Sequence, residues 1–156
     1  TATTLIVGSA VTTSSGQVGL GTGVPRSDID LDGSTRFKTY HENVGVVTSA
    51  SNVVTLDLSS AQTFTLTVDE QVNSFKLTNP PSGSTAFTLK ILQDSTGYSV
   101  DIDTFNDNGG SAIPVYWPAA VTPGVTTTAS KTDIYSFMTF DSGSSLYGVV
   151  GGQNFA

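Results

Sequence analysis

Strict alternation of apolar and polar residues governs most of this chain beyond residue 50, and it leaves little room for anything but strands. Thr63-Phe64-Thr65-Leu66-Thr67-Val68 is the cleanest case: Phe64, Leu66 and Val68 share one face and three threonines the other. Val54, Leu56 and Leu58 alternate with Thr55 and Asp57. Phe75 and Leu77 alternate with Lys76 and Thr78, and Phe87, Leu89 and Ile91 with Thr88 and Lys90. Side chains in a strand point to opposite faces with period two, so each pattern describes a strand dry on one side and wet on the other. No useful window shows the 3.6-residue period of an amphipathic helix.

Further strands are expected at 98–103, 114–117, 125–128, 133–140 and 145–150. The stretch 133–140 carries apolar or aromatic side chains on both faces and reads as a central strand. Asn79-Pro80-Pro81-Ser82-Gly83-Ser84 and Asn106-Asp107-Asn108-Gly109-Gly110 read as turns, and Asp141-Ser142-Gly143-Ser144 sits at hairpin distance between two strands. Composition agrees: 24 Thr, 20 Ser, 17 Val and 16 Gly are a β-rich set. The expectation is an all-β fold, an antiparallel β-sandwich or jelly-roll-like domain.

The first 50 residues differ. Short apolar bursts, Leu5-Ile6-Val7, Val18 to Leu20 and Ile29 to Leu31, are spaced by Gly, Ser and Thr, and none is large enough for its own core. They predict an N-terminal extended arm over residues 1–50, with a soft boundary at Ser49 to Asn52 and a β-sandwich knob over 51–156. Leu5, Ile6, Val7, Val18, Leu20, Ile29 and Leu31 are the candidate contacts of that arm with another protein or another copy. Thr1 to Val11 lacks the basic start and long apolar stretch of a signal peptide, and no segment approaches the roughly 20 apolar residues of a membrane span.

Function classes narrow quickly. Cysteine is absent, which removes disulfides and thiolate chemistry. One histidine and two glutamates are a thin acid–base inventory, so the chain is not expected to be an enzyme. Thirteen acids against six bases give a net charge of -7, which disfavours a phosphate backbone, so no nucleic-acid partner is expected.

Gly16-Gln17-Val18-Gly19-Leu20-Gly21-Thr22-Gly23-Val24-Pro25, followed by Ile29-Asp30-Leu31-Asp32-Gly33-Ser34, resembles segments of phage tail-fibre and tail-spike proteins. Residues 51–156 resemble small β-domains in virion structural proteins of tailed phages, notably marine and cyanobacterial ones. Thr55 to Ser59, Thr78 to Pro81, Phe87 to Asp94, Thr96 to Tyr98, Trp117-Pro118, Asp133 to Phe137 and Tyr147 to Phe155 carry that likeness. It implies a trimer-prone, non-enzymatic virion protein. A fibre protein is usually long, with a shaft and a tail-docking domain; a β-domain with a short arm better suits a capsid decoration protein.

Several constellations have a functional and a structural reading. Asp28, Asp30 and Asp32 alternate, so a strand would gather three carboxylates on one face: a calcium site, or a solvated edge whose charges discourage stray pairing. Asp101, Asp103 and Asp107 fall in a second oxygen-rich run; it lacks the EF-hand ligand pattern, and a turn is favoured over a calcium site. These are weak metal candidates, and no metal or cofactor is assigned. His41-Glu42 could pair a base with a carboxylate, but nothing nearby offers a nucleophile, and a surface or interface histidine is favoured. Tyr98, Tyr116, Trp117 and Tyr147 could stack on sugars or fill the core.

The expected function is a homotrimeric decoration, or cement, protein bound to the major capsid protein on the outer surface of the head, stabilising the shell. The alternative is a tail-fibre or receptor-binding tip that contacts a host surface glycan. A carbohydrate-active enzyme, suggested by paired carboxylates, or a secreted binding module ranks third.

Overall fold

The computed structural model describes residues 38–156 with their side chains, and 12–14, 17–20 and 29–31 as backbone. The chain divides into two compact units, Thr1–His41 and Glu42–Ala156. In the first, β1 (Thr12–Ser14) pairs antiparallel with β2 (Gln17–Leu20), which pairs parallel with β3 (Ile29–Leu31). Val18 lies opposite Ile29 and Leu20 opposite Leu31. Leu5, Ile6, Val7, Asp28 and Asp32 fall outside the described residues.

The second unit is all-β, with two sheets packed against each other, as the alternation predicts. Its strands are β4 (Val44–Val47), β5 (Ser49–Ala50), β6 (Val53–Asp57), β7 (Thr63–Val68) and β8 (Ser74–Thr78). They continue with β9 (Thr85–Gln93), β10 (Phe105–Asn106), β11 (Ala112–Ile113), β12 (Val115–Tyr116), β13 (Thr132–Thr139) and β14 (Leu146–Phe155). One sheet has the order β11-β10-β8-β6-β5 and the other β12-β14-β13-β9-β7-β4. Strands β4 and β5, on the arm side of the boundary expected near Ser49 to Asn52, pair within these sheets.

The pairing is mixed rather than antiparallel throughout. From β4 to β12 the chain passes back and forth between the layers, so that, apart from the short antiparallel pairs β5–β6 and β10–β11, strands that neighbour each other in one sheet are separated by a visit to the other. Those neighbours run parallel: β4 with β7, β7 with β9, β6 with β8, and β8 with β10. The result is a short two-layer coil. Hairpin β13–β14 then completes the larger sheet, with β13 antiparallel to β9, and β14 parallel to β12. The central position expected for 133–140 holds, since β13 lies between β9 and β14.

Side-chain alternation builds the core. Phe64, Leu66 and Val68 point inward from β7, Phe75 and Leu77 from β8, and Phe87, Leu89 and Ile91 from β9. Five phenylalanines meet at the centre: Phe75 stacks on Phe105 at 5.1 Å, Phe87 on Phe137 at 5.1 Å, and Phe64 meets Phe87 edge-on at 6.5 Å. Burying each is worth roughly 1.5–3 kcal/mol before the cost of ordering the chain.

Two expected strands do not form. Residues 98–103 contribute only a bridge from Val100 to Val72, and 125–128 are irregular. The buried side chain of Gln93 holds one residue of each segment. Its Nε2 donates to the Tyr98 carbonyl at 2.9 Å and the Thr126 carbonyl at 2.8 Å, while its Oε1 accepts from Tyr98 N–H at 2.9 Å. The backbone groups of Tyr98 and the carbonyl of Thr126 are satisfied in this way without a strand partner.

Candidate functional site

The β13–β14 hairpin turns through Asp141 to Ser145, and its geometry is set by two side chains. The Asp141 carboxylate accepts from Ser145 N–H at 3.0 Å, Ser145 Oγ at 2.6 Å and Thr139 Oγ1 at 2.8 Å. The Ser145 hydroxyl, then Thr139 and the backbone donors, hold this carboxyl below its usual range. Thr139, itself buried, accepts from Gly143 N–H at 2.9 Å. Ser142 ties the turn to the β8–β9 connection, its Oγ accepting from Gly83 N–H and its own N–H donating to the Gly83 carbonyl.

The strands leaving this braced turn carry an exposed aromatic cluster. Phe140 ends one arm and Tyr147 opens the other; their rings meet edge-on at 5.7 Å. Tyr116 stands beside Tyr147 in the β12–β14 register, with ring centroids 5.3 Å apart. Met138 is opposite Tyr147 on β13. Phe140 is 65% exposed, Tyr116 52% and Tyr147 42%, so the rings pack on one another yet offer their faces to solvent. Away from the cluster the same face carries the hydroxyls of Ser136, Thr88 and Thr63 side by side, flanked by Val149 and Val44 across the sheet. Thr88 and Ser136 hydroxyls are hydrogen-bonded at 3.1 Å.

Of the four aromatic residues expected to touch a glycan, Tyr116 and Tyr147 belong to this cluster. Trp117 does not. It is 7% exposed, packs edge-on against Tyr135 and Phe137, and donates its indole N–H to Asp103 Oδ1 at 2.6 Å. It is a core residue with a satisfied polar tip, because it follows Tyr116 by one position and therefore faces the other side of the sheet. Tyr98 packs against the core from the 93–98 loop. Phe140 and Met138 join the cluster without having been singled out. Their signal was visible in the two-faced apolar pattern of 133–140, which correctly indicated a central strand while its outer side stays open.

The acidic candidates are engaged locally. Asp101 accepts from Asp103 N–H at 3.1 Å and Thr104 Oγ1 at 2.9 Å; Asp103 accepts from Trp117 and Thr122; Asp107 accepts from Ser111 N–H at 2.8 Å. Asp30 lies on β3 opposite Gly19. Among the described residues no group of three acidic, histidine or cysteine side chains converges as a metal site would require. His41 is exposed, and Glu42 accepts from Thr63 Oγ1 at 3.2 Å.

Asp133, which the alternation places on a strand, is 2% exposed. Burial is the largest single influence on it and pushes its pKa up. Thr126 and Asn154 N–H, at 2.7 and 2.8 Å, the Thr126 side chain and the Tyr135 hydroxyl together outweigh burial and hold the carboxyl below its ordinary value. Burial first, and then the Asp133 charge, raise the Tyr135 phenol. Gln153 donates to Tyr135 Oη at 2.7 Å and also to the Gly124 carbonyl. This network clasps the far end of β14 and the 124–126 loop to β13, a structural role rather than a chemical one.

Comparison with protein-family models, with curated proteins and with solved structures finds no match to this chain.

Proposed function

We propose that this chain is a non-enzymatic virion structural protein, a homotrimeric decoration protein that binds the major capsid protein on the outer surface of a tailed-phage head and stabilises the shell. The observation that carries this reading is the division of the chain. Residues 42–156 form a compact all-β unit with its own core, while the described residues of the N-terminal unit include three short strands. That arrangement suits attachment through one part and display of the other. A protein that binds only the closed lattice stabilises it by mass action, and three linked copies raise the effective concentration of each attachment. The engagement of Asp101, Asp103, Asp107, Asp133 and Asp141 in turns and clasps favours a binding or structural role over acid–base chemistry.

Gold-labelled antibody against residues 51–156 should decorate the heads of intact virions. Removal of residues 1–15 should abolish binding to undecorated capsids while the β-unit stays folded. Binding unchanged by that truncation, or label confined to tails, would remove the decoration reading.

A second reading, a receptor-binding tip that contacts a host surface glycan, is favoured by the exposed rings of Tyr116, Tyr147 and Phe140. Saturable binding to host cells or their surface polysaccharide would support it.

A further inference from the structure

Against the 141–145 turn lies a depression of about 470 Å³. It is within the size range of small-molecule sites. Three connections bound it: the start of the β8–β9 connection, the β10–β11 turn and the β13–β14 turn. Leu77, Pro80 and Ile113 supply its apolar lining, with Leu77 and Ile113 themselves almost wholly buried. Its polar lining comes from Asp107, Asn108 and Ser144 among others.

The walls are fixed before any ligand arrives. Ser142 and Gly83 exchange two hydrogen bonds between two of the connections. Asp107 Oδ1 closes the third by accepting from Ser111 N–H. Gly143 has φ of +85°, and a Cβ there would come within 2.9 Å of the Pro80 ring. That close approach seats one turn directly on the other, and a side chain at 143 would force them apart.

We propose that this depression is a saccharide subsite for a neutral pyranose, and that the Tyr116–Tyr147–Phe140 cluster, close to it along the chain, stacks the next ring of an oligosaccharide. The two are close along the chain. Ile113 in the depression is followed by Tyr116, and Ser142 and Ser144 sit between Phe140 and Tyr147. An apolar floor with hydroxyl, carboxamide and carboxylate groups at its rim matches a sugar ring, which has C–H faces and an equatorial belt of hydroxyls. The single carboxylate, on a protein of net charge -7, selects against acidic sugars and phosphates. The proposal rests on the glycan-binding reading and names where the sugar sits.

The test is titration of the full chain, isotope-labelled for NMR, with neutral hexoses, N-acetylhexosamines, short neutral oligosaccharides and sialic acid. Asn108→Ala, Ala112→Trp and Tyr147→Ala are compared after circular dichroism and melting show that each is folded. A neutral sugar should shift signals from 77–80, 107–113 and 142–144. Asn108→Ala should weaken binding about fivefold, the weight of one hydrogen bond, and Ala112→Trp, which fills the depression, should abolish it. Tyr147→Ala should weaken oligosaccharides more than single sugars. Sugar binding that survives Ala112→Trp but is lost in Tyr147→Ala would overturn the subsite and leave the glycan reading standing. Tighter binding of sialic acid than of every neutral sugar would also overturn the subsite. No binding of any sugar by the unaltered chain would overturn both.

Discussion

Asp133 is the residue on which most depends at the smallest scale. A buried carboxylate is tolerated only where donors surround it, and here two backbone N–H groups and a phenol do so. Its pKa is lowered by folding, so its contribution to stability is complete above the unfolded value near 3.8 and is lost as pH falls through the lower folded value. Melting temperature measured against pH should therefore fall below about pH 4. Asp133→Asn should lose about 1–3 kcal/mol at neutral pH, and its melting temperature should depend less on pH over the acid limb. Gly148 makes a second prediction, because a Cβ there would run into the buried Trp117 ring. Gly148→Ala should cost about 1–3 kcal/mol by overpacking and alter the tryptophan fluorescence, both readable in one thermal melt. Neither role was legible beforehand. Alternation puts Asp133 on an inward face, but the Asn154 donor comes from the irregular end of β14, where the β13–β14 register shifts. Nothing local in Asp133 to Phe137 signals that partner.

At the scale of the element, the turn between β13 and β14 stands on Thr139 as much as on glycine. Thr139→Val keeps the shape and removes the acceptor of Gly143 N–H, so the buried amide loses its partner. A loss of about 1–3 kcal/mol is expected from chemical denaturation, with hydrogen exchange at Gly143 and Ser145 accelerated before the rest of the sheet. The strands themselves were easy to recognise. β6 to β9 fall on the apolar–threonine alternations almost residue for residue, and the 141–144 segment forms the hairpin its composition suggests. Their direction was not legible. Parallel sheets are usually buried on both faces and read as continuous apolar runs. Strand β7 is parallel to both neighbours yet keeps Thr63, Thr65 and Thr67 on its outer side, so its sequence looks like that of an antiparallel strand. Period two reports which side of a strand is dry and carries no information about which way its neighbour runs. The aromatic cluster was half legible for a related reason: Tyr116 and Trp117 are adjacent in sequence but on opposite sides of the sheet, and alternation alone does not say which side is the core.

For the whole molecule, residues 42–156 form a compact unit with a core of their own, which argues that this unit carries its own stability. A fragment spanning 42–156 should fold alone, with a β-type circular dichroism spectrum and a single cooperative transition; a chain that stays unfolded would show that the N-terminal unit contributes to stability. The alternation between layers also shapes how the fold is closed. Strand β8 of the opposite sheet lies between β7 and β9 along the chain, and β9 lies between β8 and β10. Each parallel pairing therefore closes a loop that contains a strand of the other sheet, a larger closure cost than that of a tight hairpin. It also makes the layers inseparable. Pulling one strand from either sheet disturbs the crossover that spaces the other, so mechanical load on this unit is met by both sheets together.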